Sequence, residues 1–262
     1  MDQGKPVRAA EMAETQFPAG VLPNLLFAQS GLATTVPTGW LRAPSSNALA
    51  WVFQSFMDEI AQAGGKDLPT LTLELLGTSR VLKGKEGNPL EAPFHTGRAR
   101  AVVEKVLVNG DWKTKPAAGR AKGFAFYFSH FGYFAQIIEI AVKDDDVRVE
   151  KVWSVGDVGR QIINPSGADN QVHGAILEGI GHALALEITL ANGRVEQENF
   201  DSYLLPRMEH TPQIMTEFLL TDFPPTGLGE PALPPVLPAI TNAVFAATGK
   251  RIRKLPIKLS EA

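Results

Sequence analysis

Apolar residues recur every three or four positions between about Asn47 and Ala63. Leu49, Val52, Phe53, Phe56 and Ile60 fall at the helical period. The pattern predicts a helix, with Ser45, Ser46 or Asn47 able to cap its start and Gly64-Gly65 to end it. The loop before it, Pro37-Thr38-Gly39-Trp40-Leu41-Arg42-Ala43-Pro44, has few conformational alternatives. From about Leu76 to Arg120 the chain is rich in Gly, Pro, Lys and Glu. It reads as irregular surface with one helix, Thr96 to Val108, closed by Asn109-Gly110. A β-dominated block follows. Gly123–Phe128 and Tyr133–Val142 carry aromatic and β-branched residues in partial alternation, and Asp144-Asp145-Asp146 turns the chain into Val147–Val155. A second long helix fits Asn170 to Leu190, and Asn192-Gly193 is a hairpin signal leading to Arg194–Gln197. Ile214–Thr221 reads as a strand. Six prolines between Pro224 and Pro238 precede an apolar helix to Thr248. Pro235 suits its first turn and Gly249 its C-terminal cap.

This succession predicts an α+β fold of mixed sheets with packed helices. Two segments are expected. Residues 1–120 carry the Arg42 loop and helix 47–63, and residues 121–262 carry a loop around Glu230. With 262 residues, 44% apolar and 20% charged, the chain can bury a sizeable core. A net charge of −3 offers no general attraction for nucleic acid. Cysteine is absent, which excludes disulfides, thiolate metal sites and a Cys nucleophile within this chain. No apolar run approaches the roughly 18 residues of a membrane span. The opening Met1-Asp2-Gln3-Gly4 lacks the basic region and apolar stretch of a secretory signal. A periplasmic location carried by a partner and a cytoplasmic one both stay open.

The five histidines show no zinc spacing. His173 and His182 would lie on opposite helix faces, whereas Glu178 and His182 share one. The triple Asp lacks the spacing of a calcium loop, and Lys250, Arg251, Arg253 and Lys254 suit the C-terminal end of the last helix. Two features point further. In Thr226-Gly227-Leu228-Gly229-Glu230-Pro231, glycines let the backbone approach a ligand, and Pro231 restricts Glu230 to an extended or turn backbone. A carboxylate held this way can act as a general base, or be a simple turn residue. Gly174, Gly179 and Gly181 each weaken a helix interior by about 1 kcal/mol. Something therefore comes close there, either a neighbouring helix or a flat cofactor. Gln171, at the helix start, offers a donor and an acceptor to such a group.

Five ordered blocks carry a resemblance. They are VPTGWLRAPSSNALAWVFQSFMDEIAQAGGKD from Val36, PAAGRAKGFAFYFSHFGYFAQIIEI from Pro116, VGDVGRQIINPSGADNQVHGAI from Val155, EITLANGRVEQENFDSYLLPRM from Glu187, and GLGEPALPPVLPAITNAVFAATGKRIRKLPI from Gly227. The chain resembles the C-terminal portion of the molybdopterin-binding large subunit of the xanthine dehydrogenase and aldehyde oxidase superfamily, in its isoquinoline 1-oxidoreductase β-subunit branch. The resemblance implies a molybdenum hydroxylase that oxidises an N-heterocycle or aldehyde with water-derived oxygen. Glu230 then matches the general base on the molybdenum-bound hydroxyl. Arg42 and Ala43 match a loop beside the metal's oxygen ligands, Gln171 a pterin contact, and Gly229 the glycine before the base. Ser129–Tyr133 aligns with a loop facing the same site. Trp40, His130, Phe131 and Tyr133, with Phe128, are candidates for an aromatic substrate slot or for core packing. No protein residue would ligate the metal, which is held through the pterin, either bare or as the cytosine dinucleotide.

The resemblance also implies partners. The glycine-rich M-G-Q-G loop of the family's front part has no counterpart here. His173 stands where an acidic or small residue is common, and Ala232 replaces a frequent glycine. A separate N-terminal large-subunit chain and a small subunit with iron–sulfur clusters are therefore expected, as is exposed apolar surface on this chain alone. The alternatives are a non-catalytic remnant serving as an assembly or binding module, which has no need of Glu230, and an unrelated hydrolase built on Glu178 and His182.

Overall fold

The computed structural model describes residues 12, 16–31, 39–83 and 93–261. The start of the Pro37–Pro44 loop and the Lys/Glu/Gly-rich stretch 84–92 lie outside them. The elements in chain order begin with helices α1 (Ser46–Ala63) and α2 (Leu68–Leu76), the short strands β1 (Val81–Leu82) and β2 (Phe94–His95), and helix α3 (Thr96–Asn109). Strands β3 (Arg120–Ser129), β4 (Gly132–Lys143) and β5 (Asp146–Asp157) follow, then α4 (Pro165–Leu184). The short hairpin β6 (Leu190–Ala191) and β7 (Arg194–Val195), strand β8 (Gln213–Phe218) and helix α5 (Val236–Thr248) complete the chain.

The central sheet has the order β3-β4-β5-β8. Its first three strands are antiparallel and β8 runs parallel to β5. Helices cover both faces. Along β4, Tyr133, Ala135 and Ile137 face a core shared with α1, α2 and α3, while Phe134 and Ile138 face α4 and α5. A strand buried on both sides loses its polar positions, so the text alternates only in part. Gly123 of β3 is required by contact, since a Cβ there would stand 2.0 Å from the Ala239 carbonyl oxygen of α5.

Several expectations need correction. The helix expected at Thr96–Val108 is present as α3, but as core and not as surface: Ala99, Val102, Val103 and Val106 are completely buried. Helix α2 was not expected. Asp67 caps it by accepting from the Thr70 amide at 2.9 Å, and Pro69 lies in its first turn. Helix α4 begins five residues before the expected Asn170 and ends six before Leu190. Asn164 caps it by accepting from the Gly167 amide at 2.9 Å, with Pro165 as its first residue. The division at residue 120 falls at the start of β3, yet residues on both sides of it share one core cluster.

The basic run after α5 forms ion pairs instead of facing the helix end. Arg251 meets Asp58 at 2.6 Å and Arg253 meets Glu59 at 2.6 Å, both on α1. Gly249 does close α5 with a left-handed φ of 74°. No described helix is long and apolar enough to cross a membrane.

Candidate functional site

The site is built where three loops meet α4. The first is Trp40–Ser45, ahead of α1. Ala43 and Ser45 both take left-handed backbone angles, at φ 56° and 61°, which residues with a Cβ adopt only when their surroundings hold them. Ser45 occupies the cap position of α1 without a side-chain cap, and the Ser46 hydroxyl donates back to the Ala43 carbonyl at 3.2 Å. This tight turn buries Ala43 and directs the Arg42 side chain toward α4.

The second loop is the β3–β4 turn. His130 and Phe131 are both left-handed, at φ 49° and 63°. Ser46 Oγ lies 3.1 Å from His130 Nε2, tying this turn to the start of α1. Burial pushes His130 below its ordinary pKa, and the negative charge of Glu230 opposes that shift.

The third loop runs from β8 to α5. It follows the end of β5: Leu219 donates to Gly156 at 2.8 Å, Arg160 to Phe223 at 2.9 Å, and Thr226 to Val158 at 2.8 Å. Gly159 must be glycine, because its φ is 104° and a Cβ would stand 2.5 Å from the Pro224 carbonyl oxygen. Pro231 packs over Gly132 of the β3–β4 turn, where a Cβ would come within 2.7 Å of the proline ring. Glu230 is thus fixed on its C-terminal side by a proline seated on the neighbouring loop.

On its N-terminal side Glu230 is fixed by Arg42, whose Nε donates to the Gly229 carbonyl. The same guanidinium donates from Nη2 to Gln171 at 3.0 Å (carbonyl) and 2.9 Å (side-chain oxygen), and from Nη1 to Glu178 at 3.3 Å. Gln171, Gly174 and Glu178 lie on one face of α4. The guanidinium passes Gly174 at ordinary contact distance, 3.5 Å from where a Cβ would stand. Close approach explains two of the three helix glycines. Gly179 admits Val236 and Leu233 from the α5 side, and Gly181 admits Pro206 and Leu186, while a Cβ would fit at Gly174.

Of the expected site residues, the structure brings Arg42, Gln171, Gly229 and Glu230 together, with Ala43 in the turn beneath Arg42. His130 joins them through Ser46 and the field of Glu230. Trp40 and Phe131 are exposed, Trp40 by 78%. Tyr133 is not a pocket residue. It is completely buried in an aromatic cluster with Phe94 and Phe128, and its hydroxyl accepts from the His95 amide at 2.8 Å. The strand period explains this, because Tyr133 points to the α3 side of β4. Ser46 was expected only as a helix cap, whereas its hydroxyl meets the Ala43 carbonyl and His130.

His182 and Glu178 share a face of α4 without forming a hydrolytic pair. His182 Nδ1 lies 3.1 Å from the Asn47 amide nitrogen, while Glu178 is held by Arg42. Among the described residues no group of three metal-ligating side chains occurs.

The donor set fits a polar, flat cofactor. Arg42 and Gln171 supply hydrogen-bonding groups, and added Cβ atoms at Gly227 and Gly229 would meet nothing within 4 Å. The loop therefore presents bare backbone to open space, which suits close approach of a ring system.

Comparison with known proteins gives the same direction. A family profile described as "Molybdopterin cofactor-binding domain" matches residues 67–212. That span contains Gln171 and His130 but neither Arg42 nor Glu230. The chain is 31% identical over 234 residues to a protein of Gluconacetobacter polyoxogenes named membrane-bound aldehyde dehydrogenase [pyrroloquinoline-quinone], covering 86% of this chain and 29% of that protein. It is 32% identical over 166 residues to isoquinoline 1-oxidoreductase subunit beta of Brevundimonas diminuta, covering 62% of this chain and 21% of that protein. The chain thus spans less than a third of the length of these relatives. Among solved structures, aldehyde oxidoreductase from Desulfovibrio gigas superposes with a TM-score of 0.65 over 83% of this chain and 40% of that one. At 12% identity this is a likeness of fold.

Proposed function

Since the chain belongs to the family of molybdopterin cofactor-binding domains, we propose that it is the C-terminal part of the large subunit of a molybdenum hydroxylase acting on an aldehyde or an N-heterocycle. The observation that carries this reading is the Arg42 junction, which gathers Gly229, Gln171 and the Glu230 loop at one point. Arg42 and Gln171 would hold the pterin, with the bare backbone of Gly227–Gly229 beside it. When bound, the cofactor supplies two-electron redox chemistry and a water-derived oxygen. Glu230 acts as general base, its carboxylate accepting a proton as the substrate carbon is oxidised. Its backbone is fixed by Arg42 on one side and Pro231 on the other, so little reorientation is needed at the moment of proton transfer. His130 lies within its field.

The rest of the cofactor enclosure would come from the front part of the large subunit, and the electrons would leave through a small subunit with iron–sulfur clusters. Exposed apolar residues directly before Arg42 support a covering partner: Trp40 and Leu41 are 78% and 64% exposed. The test is native purification of the chain with its partners, elemental analysis, and Glu230→Gln in the assembled complex. Molybdenum in stoichiometric amount is expected in both forms. Turnover should fall about a hundredfold or more in the variant. A folded, partner-free and molybdenum-free chain would leave the binding-module reading in its place.

A further inference from the structure

All three nitrogens of the Arg42 guanidinium donate, through four of its five N–H groups, and the partners belong to two separate parts of the site. Nε reaches the peptide that joins Gly229 to Glu230, while Nη1 and Nη2 reach Glu178 and Gln171 on α4. The side chain is mostly buried, with 21% of its surface exposed, and passes α4 at Gly174. The peptide it grips needs holding. Gly229 lacks a side chain, has open space around it and carries the conformational freedom of glycine. Gln171 is oriented by the same contact. Its side-chain oxygen accepts from Arg42, which turns the amide NH2 away from Arg42 as a donor.

We propose that Arg42 is a positioning residue that sets two groups with one side chain: the Gly229–Glu230 peptide, and hence the direction of the Glu230 carboxylate, and the amide of Gln171, presented to a ligand as a donor. The roles of Glu230 and Gln171 rest on the function proposed above, whereas the latch itself is a property of this chain. A lysine cannot replace it, because an ammonium places its donors at one point and cannot reach Gly229, Gln171 and Glu178 together.

The test uses the full 262-residue chain with Arg42→Lys and Arg42→Ala, read by 15N relaxation. In the original chain the Gly229 and Glu230 amides are expected at a rigid order parameter of about 0.85, falling below about 0.6 in both variants. The α5 amides should stay rigid, which shows that the fold persists. The Gln171 side-chain amide resonances should shift in both variants. Guanidinium ion at low concentration should restore order in Arg42→Ala, and sodium chloride at equal ionic strength should not. Order parameters at Gly229 and Glu230 that match the original chain in Arg42→Ala would overturn the proposal. In the assembled complex Arg42→Lys should lower kcat and leave KM unchanged. An altered loop in a complex without turnover in its original form would retain the positioning role and remove the functional reading instead.

Discussion

Arg98 and Asp157 meet in a two-pronged ion pair, Nε to Oδ2 at 2.7 Å and Nη2 to Oδ1 at 2.6 Å, with side chains 9% and 1% exposed. The rings of Tyr133 and Phe223 lie against the guanidinium, at 4.5 and 4.4 Å. Asp157 Oδ1 also accepts from the Gly159 amide at 2.9 Å and the Thr221 hydroxyl at 3.0 Å. One carboxylate thus joins α3, the end of β5 and the segment that leads to Glu230.

Arg98→Met is expected to lower the unfolding free energy by about 3–5 kcal/mol, because it leaves Asp157 buried without its counter-charge. Urea denaturation measures this. A loss under about 1 kcal/mol would mean that the Gly159 and Thr221 donors alone satisfy the carboxylate.

The helix glycines give a contrast within α4. At Gly174 an added Cβ sits at ordinary contact distance from Arg42, so Gly174→Ala should gain up to about 1 kcal/mol of helix propensity. At Gly179 the same atom would come within 2.7 Å of the Val236 side chain. Gly179→Ala should therefore destabilise by about 1–3 kcal/mol through overpacking against α5. Denaturation midpoints for the two variants should move in opposite directions. Movement in the same direction would remove the close approach of α4 and α5 as the reason for Gly179.

These contrasts also show what could be read from the chain. The three glycines announced that something approaches α4, but a sequence does not say what. Val236 and Leu233 fill the gap at Gly179, Pro206 and Leu186 that at Gly181, and a Cβ would fit at Gly174. The Gly249 cap was legible because a cap residue is a local signal, and the period gave α1 its bounds but not its buried face: Val52, Phe56 and Ile60 are exposed while Gln54, Ser55 and Asp58 are buried. The start of α4 was missed although Asn164-Pro165 is a cap followed by a first-turn proline, and the Asp67 cap with Pro69 marked α2 in the same manner. Tyr133 stayed open between slot and core because a strand covered on both faces gives no polar phase to orient it, and the structure places it in the core. The Glu230 loop stood out through its own residues. Its two anchors, Arg42 and the Gly132 seat of Pro231, are nonlocal contacts.

Titration of the buried histidines supplies the remaining prediction. His95, His130 and His182 all lie below their ordinary value of 6.5, in each case chiefly through burial. The unfolded chain then takes up protons near pH 6.5 while the folded chain still resists them, so stability falls as the pH drops below 6.5 and recovers above it. Asp58, raised by burial, acts with the opposite sign, its stability contribution growing as the pH falls toward the carboxylate range. The share of His130 is isolated by His130→Asn, since Asn tolerates the left-handed φ of 49° at this position. Melting temperature measured against pH should fall less steeply below 6.5 in this variant than in the original chain. Glu230→Gln should steepen it, because the Glu230 charge is what holds the His130 pKa up. Removing that charge widens the gap between folded and unfolded values and extends the loss to lower pH. Parallel curves for all three proteins would show that His130 does not sense Glu230.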